Sequence, residues 1–364
     1  MTTLFAIGSN DSGQLGIGHH QDVSVPKQVL FENEGISSTP QVRAGSKHTL
    51  LLASGEIYFS GDVRSGACGL VSPSVVNEVS FQKIHLAAEE SSPLHKPITS
   101  HCAVTWAASI IVQRDENAKS TKVYTFGIGD KGELGQGKFL FRSSKAQLIQ
   151  DFPPKGTEVV DLAASVSHVV AVLDNGDVYG WGNGRKGQLG LPDSFPLSPR
   201  KIDGVDFKVV RAVCGKEFTY LLGDPENGHH VVLGLDKWKI ISNAPASVVG
   251  WKDVGASWAT IFVLQKDGKL LSWGRGDLGQ LAPPELPELS QIAIGSEHAL
   301  AYSVDEGVLA WGWGEHGNCG PLAKKDEDVK GRWKVVVSSK YLPPSSKISG
   351  IGAGYATSWI CLSS

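Results

Sequence analysis

Four stretches carry the glycine pattern GxGxxG: Gly127-Gly129-Gly132, Gly182-Gly184-Gly187, Gly274-Gly276-Gly279 and Gly312-Gly314-Gly317. Such a loop cradles a dinucleotide when it opens a helix, because amide donors and the helix dipole then meet the pyrophosphate. Here each copy lies between apolar stretches with strand character and recurs along the chain. A tight turn in which glycine supplies positive φ is expected, with no cofactor. His48, His168 and His298 each head an apolar run, and three imidazoles would suit zinc. The equivalent positions in other units read Trp106, Phe218, Trp258 and Thr357, most of which offer no zinc ligand. Buried imidazoles bonded to nearby backbone are expected instead. The pairs His19-His20 and His229-His230 read as loop residues without a partner motif. Cys68, Cys102, Cys214, Cys319 and Cys361 are odd in number, far apart and form no CxxC pair. That pattern argues against a disulfide framework or a zinc knuckle and fits a reducing compartment, cytoplasmic and also nuclear. GxSxG, HExxH and P-loop motifs do not occur. No catalytic, cofactor-binding or metal-binding residue is assigned, and the chain is expected not to be an enzyme.

The ten tryptophans carry more information. Trp181, Trp273 and Trp311 occupy one repeated slot and are expected in the core. Trp106, Trp258 and Trp359 read as strand residues. Trp238, Trp251, Trp313 and Trp333 fall off the pattern. Trp313 fills a loop slot that holds Asn183 or Arg275 in sister units, and Trp333 lies in an apparent insertion over 321–346. Protein-binding hot spots favour Trp, Tyr and Arg. Trp238, Trp251, Arg275, Trp313, His316 and Trp333 are therefore the candidate partner-binding residues. Two further irregular stretches are flagged: 89–101, with Pro93 and Pro97, and the mixed charge run 324–328, read as a solvated loop.

The elements that would position these residues repeat. Val178-Tyr179-Gly180-Trp181-Gly182, Leu270-Leu271-Ser272-Trp273-Gly274 and Val308-Leu309-Ala310-Trp311-Gly312 are plain copies of one strand, and looser copies end at Gly8, Gly61, Gly127 and Gly234. A glycine loop follows, as in Gly13-Gln14-Leu15-Gly16, Gly132-Glu133-Leu134-Gly135 and Gly187-Gln188-Leu189-Gly190. Leu15, Leu134 and Leu189 are expected to anchor these loops in the core. Gln14, Gln188 and Gln280 are expected to satisfy their backbone groups. The fifth unit lacks the loop and reads Gly234-Leu235-Asp236-Lys237-Trp238. A second marker runs from a small residue to a larger one three places on: Gly45–His48, Ala103–Trp106, Ser165–His168, Gly215–Phe218, Gly255–Trp258, Gly295–His298 and Gly354–Thr357. Both markers occur seven times, at the spacing of propeller blades. Asp174-Asn175-Gly176-Asp177 reads as a hairpin turn, with Ala53-Ser54-Gly55 and Gln265-Lys266-Asp267-Gly268 in the same role. The predicted fold is all-β, one seven-bladed β-propeller over 1–364. Thr3-Leu4-Phe5-Ala6-Ile7 and Ser358-Trp359-Ile360-Cys361-Leu362 are each left without a hairpin partner, so their pairing is expected to close the ring and remove two sheet edges.

Charge and hydropathy narrow the partners. A net charge of −3 leaves no electrostatic footprint for nucleic acid or an anionic membrane. No apolar run reaches the length of a membrane-spanning helix. Met1-Thr2-Thr3-Leu4-Phe5 has neither the charged leader nor the apolar core of a secretory signal.

The order aromatic-Gly, then x-Gly-x-x-Gly-Gln-Leu-Gly, then Gly-x-x-His resembles the repeat of the regulator-of-chromosome-condensation family. The resemblance covers essentially the whole chain and implies a seven-bladed propeller. The opening Gly8-Ser9-Asn10-Asp11-Ser12-Gly13-Gln14-Leu15-Gly16-Ile17-Gly18-His19, with Asp22 and Pro26 beyond it, is most similar to the fungal α-tubulin-suppressor, or killer-toxin-insensitivity, subgroup. His20-Gln21 stands where that subgroup would have acidic residues. The resemblance implies a scaffold that pairs with a small CSL-type zinc protein. It would serve diphthamide synthesis on elongation factor two and Elongator-dependent modification of the transfer RNA wobble uridine, with contacts on the loops of blades five to seven. The alternative implied by the founding member is guanine-nucleotide exchange on a small Ran-like GTPase. The chain begins at a strand without the basic tail of that member, which argues against chromatin attachment.

Overall fold

In the computed structural model, residues 2–32, 35–69, 79–86, 97–114, 121–137, 140–322 and 327–364 are described. Most of the flagged stretch 89–101 and residues 324–326 of the charge run lie outside them.

Seven antiparallel sheets stand around one axis. Blade 1 joins Thr2–Gly8 and Val23–Gln28 to Lys347–Ala353 and Thr357–Ser363. Blade 2 is Gln41–Ala44, His48–Ala53, Glu56–Gly61 and Gln82–Lys83. Blade 3 is Ile98–Val104, Ala108–Arg114, Thr121–Ile128 and Arg142–Leu148. Blade 4 is Val159–Ser165, His168–Leu173, Val178–Gly182 and Arg200–Lys201. Blades 5 and 6 have three strands each: Arg211–Cys214, Phe218–Leu222 and His230–Gly234, then Trp251–Ala256, Thr260–Gln265 and Leu270–Gly274. Blade 7 is Gln291–Ile294, His298–Ser303, Gly307–Gly312 and Val329–Ser338. The predicted propeller and its blade number are thus observed. Ring closure is also observed in the expected register, with Thr3 opposite Leu362 and Ile7 opposite Ser358.

The second marker holds in five blades and shifts in two. In blade 3 the turn is closed by Thr105 N–H donating to Ala108 O, and in blade 6 by Ser257 N–H donating to Thr260 O. The marker therefore runs Thr105–Ala108 and Ser257–Thr260, two residues beyond the reading from sequence. Trp106 and Trp258 are turn residues, not strand residues. Trp359 is a buried strand residue, as expected.

The core lies between blades. One apolar cluster packs Ile110 and Val112 of blade 3 on Val169, Ala171 and Trp181 of blade 4, and another packs Tyr220 of blade 5 on Trp273 of blade 6. Trp181 and Trp311 are fully buried, each worth a few kcal/mol at ~25 cal/mol per Å² of apolar area. Their indoles also tie neighbours together. Trp181 Nε1–H donates to Glu133 O in the loop of blade 3, Trp273 to Ile240 O after blade 5, and Trp311 to Gln280 O after blade 6.

The loop residues behave as their types demand. Leu15, Leu134 and Leu189 are buried. Gln14, Gln188 and Gln280 accept from the backbone N–H of Ser12, Lys186 and Leu278. Blade 3 has Glu133 in this role, accepting from Lys131 N–H. The glycine ending each third strand sits at positive φ, +114° at Gly61 and +98° at Gly312. A Cβ there would meet a carbonyl of the adjacent turn at 2.3 Å and 2.6 Å, so no other residue fits. The GxGxxG copies are thus turns between strands.

The histidines join blades. His48 Nε2 meets Ser109 Oγ of blade 3 at 3.3 Å, His168 meets Thr219 Oγ1 of blade 5 at 3.1 Å, and His298 meets Ser358 Oγ of blade 1 at 2.9 Å. Their partners are thus hydroxyls of the next blade in addition to the expected backbone. Burial pushes each imidazole down to about 4.

Candidate protein-binding face

Because each sheet is antiparallel, the connections from first to second strand and from third to fourth emerge on one face. The other connections emerge on the opposite face. The first set lies in a ring around the axis, with neighbouring turns joined in part by backbone hydrogen bonds. The second residues of the turns are Ser46, Trp106, Val166, Lys216, Trp258, Ser296 and Tyr355. Ser46 N–H donates to Trp106 O, Trp106 N–H to Val166 O, Lys216 N–H to Trp258 O, and Trp258 N–H to Ser296 O. Three of these side chains converge over the axis from blades 3, 6 and 1. Trp106 and Trp258 stack with ring centres 6.1 Å apart, and Tyr355 lies 5.3 Å from Trp106 and 5.6 Å from Trp258. Lys216 Nζ stands 5.3 Å from the Trp258 ring, and nearly half of Trp106 remains exposed.

The third-to-fourth loops dock on the same turns. The first residue after each third-strand glycine donates to the turn of its own blade: Asn183 to Ser167 O, Arg275 to Ala259 O, Trp313 to Glu297 O. This contact places Arg275 on the turn that carries Trp258 and Trp313 on the turn that carries Ser296. Trp238 joins them from the loop of blade 5, where it and Lys239 adopt left-handed backbone at φ +61° and +55°. Asp236 holds that turn by accepting from Ile241 and Ser242 N–H. A tryptophan in this conformation costs of order 1–3 kcal/mol, which the surrounding fold must repay. Arg275 packs on the Trp238 ring at 5.3 Å, and it pairs with Asp277 and with Glu297 of blade 7. Trp313 packs edge-on against His316 at 5.2 Å, and His316 Nδ1 meets Asp22 Oδ2 of blade 1 at 2.7 Å.

Four of the six residues singled out from sequence, Trp238, Arg275, Trp313 and His316, thus share one face over blades 5 to 7. Two do not. Trp251 begins the inner strand of blade 6 at the opposite face, where its Nε1–H donates to Gly223 O. Trp333 lies in the outer strand of blade 7, half-buried against that blade. The segment read as an insertion therefore contains the outer strand of blade 7, Val329–Ser338. Trp106, Trp258 and Tyr355 were missed as surface residues; the tight-turn pattern around Thr105 and Ser257 was the signal for the first two. Among the described residues no cluster of His, Cys, Asp or Glu is arranged to hold a metal, and the five cysteines are buried and free.

The model of the RCC1-like domain matches residues 3–360. The chain belongs to the RCC1-like family. This RCC1-like propeller is 32% identical to an RCC1 repeat-containing protein of Schizosaccharomyces pombe over 99% of the chain and 98% of that protein. It is 27% identical to the mouse secretion-regulating guanine nucleotide exchange factor over 97% of the chain and 82% of that protein. Among solved structures it superposes on Prp20p of Saccharomyces cerevisiae with a TM-score of 0.79 at 20% identity, covering 99% of this chain and 91% of that one. Human WBSCR16 gives 0.77 at 17% identity, covering 100% and 99%. At such identities the two structures speak for the fold of the RCC1-like propeller alone.

Proposed function

We propose that this RCC1-like propeller is a non-catalytic scaffold whose axial face, over blades 5 to 7 and the channel mouth, binds a small protein partner. The reading rests above all on Trp238. It is an exposed tryptophan held in left-handed backbone and overlaid by Arg275. A rigid aromatic beside a guanidinium is the composition of an interface hot spot. Following the resemblance of residues 8–19, the partner is a CSL-type zinc protein. The pair would serve diphthamide synthesis on elongation factor two and, with Elongator, wobble uridine modification, in the cytoplasm and also in the nucleus. The propeller would contribute surface and no metal ligand. Titration calorimetry with a recombinant CSL protein tests this. A complex weakened by Trp238→Ala supports the reading, and absence of any complex removes the partner.

A second reading is exchange activity on a small Ran-like GTPase. It is favoured by the similarity to a relative named as a guanine nucleotide exchange factor. Release of a fluorescent guanine nucleotide, with and without the propeller, separates the two.

A further inference from the structure

The blades enclose an axial cavity of about 400 Å³, within the range of small-molecule sites, lined by the inner strands of all seven. Its two ends differ. At the axial face Trp258 and Tyr355 line its end, with Trp106 packed on both. The waist is apolar and narrow in side-chain volume, formed by Ala163, Val213, Gly255, Ala293 and Ile351. The opposite end is polar, with Gln41, Arg43, Arg211, Asp253 and Gln291.

Two arginines and two aspartates meet at that end, but their pairing is uneven. Arg211 serves two carboxylates, Asp161 at 2.9 Å and Asp253 at 3.6 Å. Asp161 is satisfied further by Ala212 N–H at 2.7 Å. Arg43, from blade 2 across the axis, has no carboxylate within ion-pair distance among the described residues, and Asp253 acts on it only from farther off. Among the described residues its guanidinium donates only from Nη1, to the carbonyl of neighbouring Val42. A half-buried guanidinium with free donors at the mouth of an apolar tube is built to take an anionic head whose apolar body lies along the tube. A cation would face Arg43, and the nearest carboxylates already hold Arg211.

We propose that this cavity binds a small amphipathic carboxylate, entering from the end opposite the aromatic cluster. The carboxylate pairs with Arg43, and the apolar body runs past Ala293 toward Trp258. This site opens at the end opposite the protein-binding face, shares with it only Trp258 and Tyr355 at the closed end, and does not depend on that reading.

Hexanoate, hexanol and hexylamine are the probes, titrated into the full chain by calorimetry and by nuclear magnetic resonance of the Trp258 indole. Hexanoate alone is expected to bind and to shift that resonance. Arg43→Gln should weaken it about tenfold or more, the scale of a lost charge-assisted bond, with the melting temperature retained. Ala293→Leu, which fills the waist, should abolish it while leaving the folded spectrum intact. Equal binding of hexanol or hexylamine, no heat with hexanoate, or an Arg43→Gln protein that binds as the parent does would each overturn the proposal.

Discussion

The guanidinium of Arg275 stands 5.3 Å from the centre of the Trp238 ring, so a side chain of blade 6 fixes the orientation of one from blade 5. Arg275 is itself held by Glu297 of blade 7 at 2.7 Å. Three blades therefore present one rigid surface. Trp238→Ala and Trp313→Ala are each expected to weaken capture of the CSL partner by about 2 kcal/mol, roughly thirtyfold, measured by calorimetry. Trp251→Ala and Trp333→Ala should leave affinity unchanged and lower stability by about 2 kcal/mol, read from urea unfolding. Full affinity in both of the first pair would dismiss the proposed contact surface.

Acid should destabilise the fold between pH 6.5 and about 4. His48, His168 and His298 are held neutral by burial, with folded values near 4 against 6.5 in the unfolded chain. Their contribution is present above pH 6.5 and lost as pH falls through that window, up to about 3 kcal/mol each. Blade 5 has Phe218 at this position. His168→Phe should therefore flatten the acid limb of stability against pH, at a cost of about 1 kcal/mol near pH 7 from the lost Thr219 bond. Denaturant midpoints across this range would show it, and an unchanged slope would count against the assignment.

Glu133 behaves in the opposite sense. It replaces the glutamine of the loop motif, and burial pushes its carboxyl up to about 7. An acid whose folded value is raised contributes stability at low pH that is lost as pH rises from about 4.5 through 7. Glu133→Gln keeps the acceptor for Lys131 N–H and removes the ionisation. A gain of about 2 kcal/mol at pH 8, absent at pH 4.5, is expected from paired denaturation curves. A gain of equal size at both pH values would mean that charge is not the cause.

Ring closure predicts the effect of truncation. Thr2–Gly8 pairs along its full length with Thr357–Ser363 and on its other edge with Val23–Gln28. Removing residues 1–7 should expose two strand edges in blade 1. A lower melting temperature and concentration-dependent self-association are expected by calorimetry and size-exclusion chromatography. A truncated chain as stable and as monomeric as the parent would contradict the closure.

The fold was legible because its cues are local and repeated. Third-strand glycines, Gln14-type caps and hairpin turns are each dictated within a few residues by φ requirements and by the need to satisfy buried backbone groups. The site was half legible. Trp313 and Arg275 could be placed through the repeat slot they share with Asn183, and Trp238 through the loop it replaces. Trp333 could not, because the outermost strand carries no motif. The marker in blades 3 and 6 was displaced because Ala103 and Trp106 satisfy the small-to-large spacing, as do Gly255 and Trp258, whereas the turn residue pair Thr105 and Ala108 does not.

The amino-acid order alone determined that seven sheet modules close on a shared first blade, since periodic side-chain type and backbone geometry act over short range. Only the folded ring decided that Trp106, Trp258 and Tyr355 meet over the axis and that Arg43 has no carboxylate within ion-pair distance among the described residues. Those relationships join different blades far apart in the chain, and they arise from blade packing around a common axis, which no local pattern encodes.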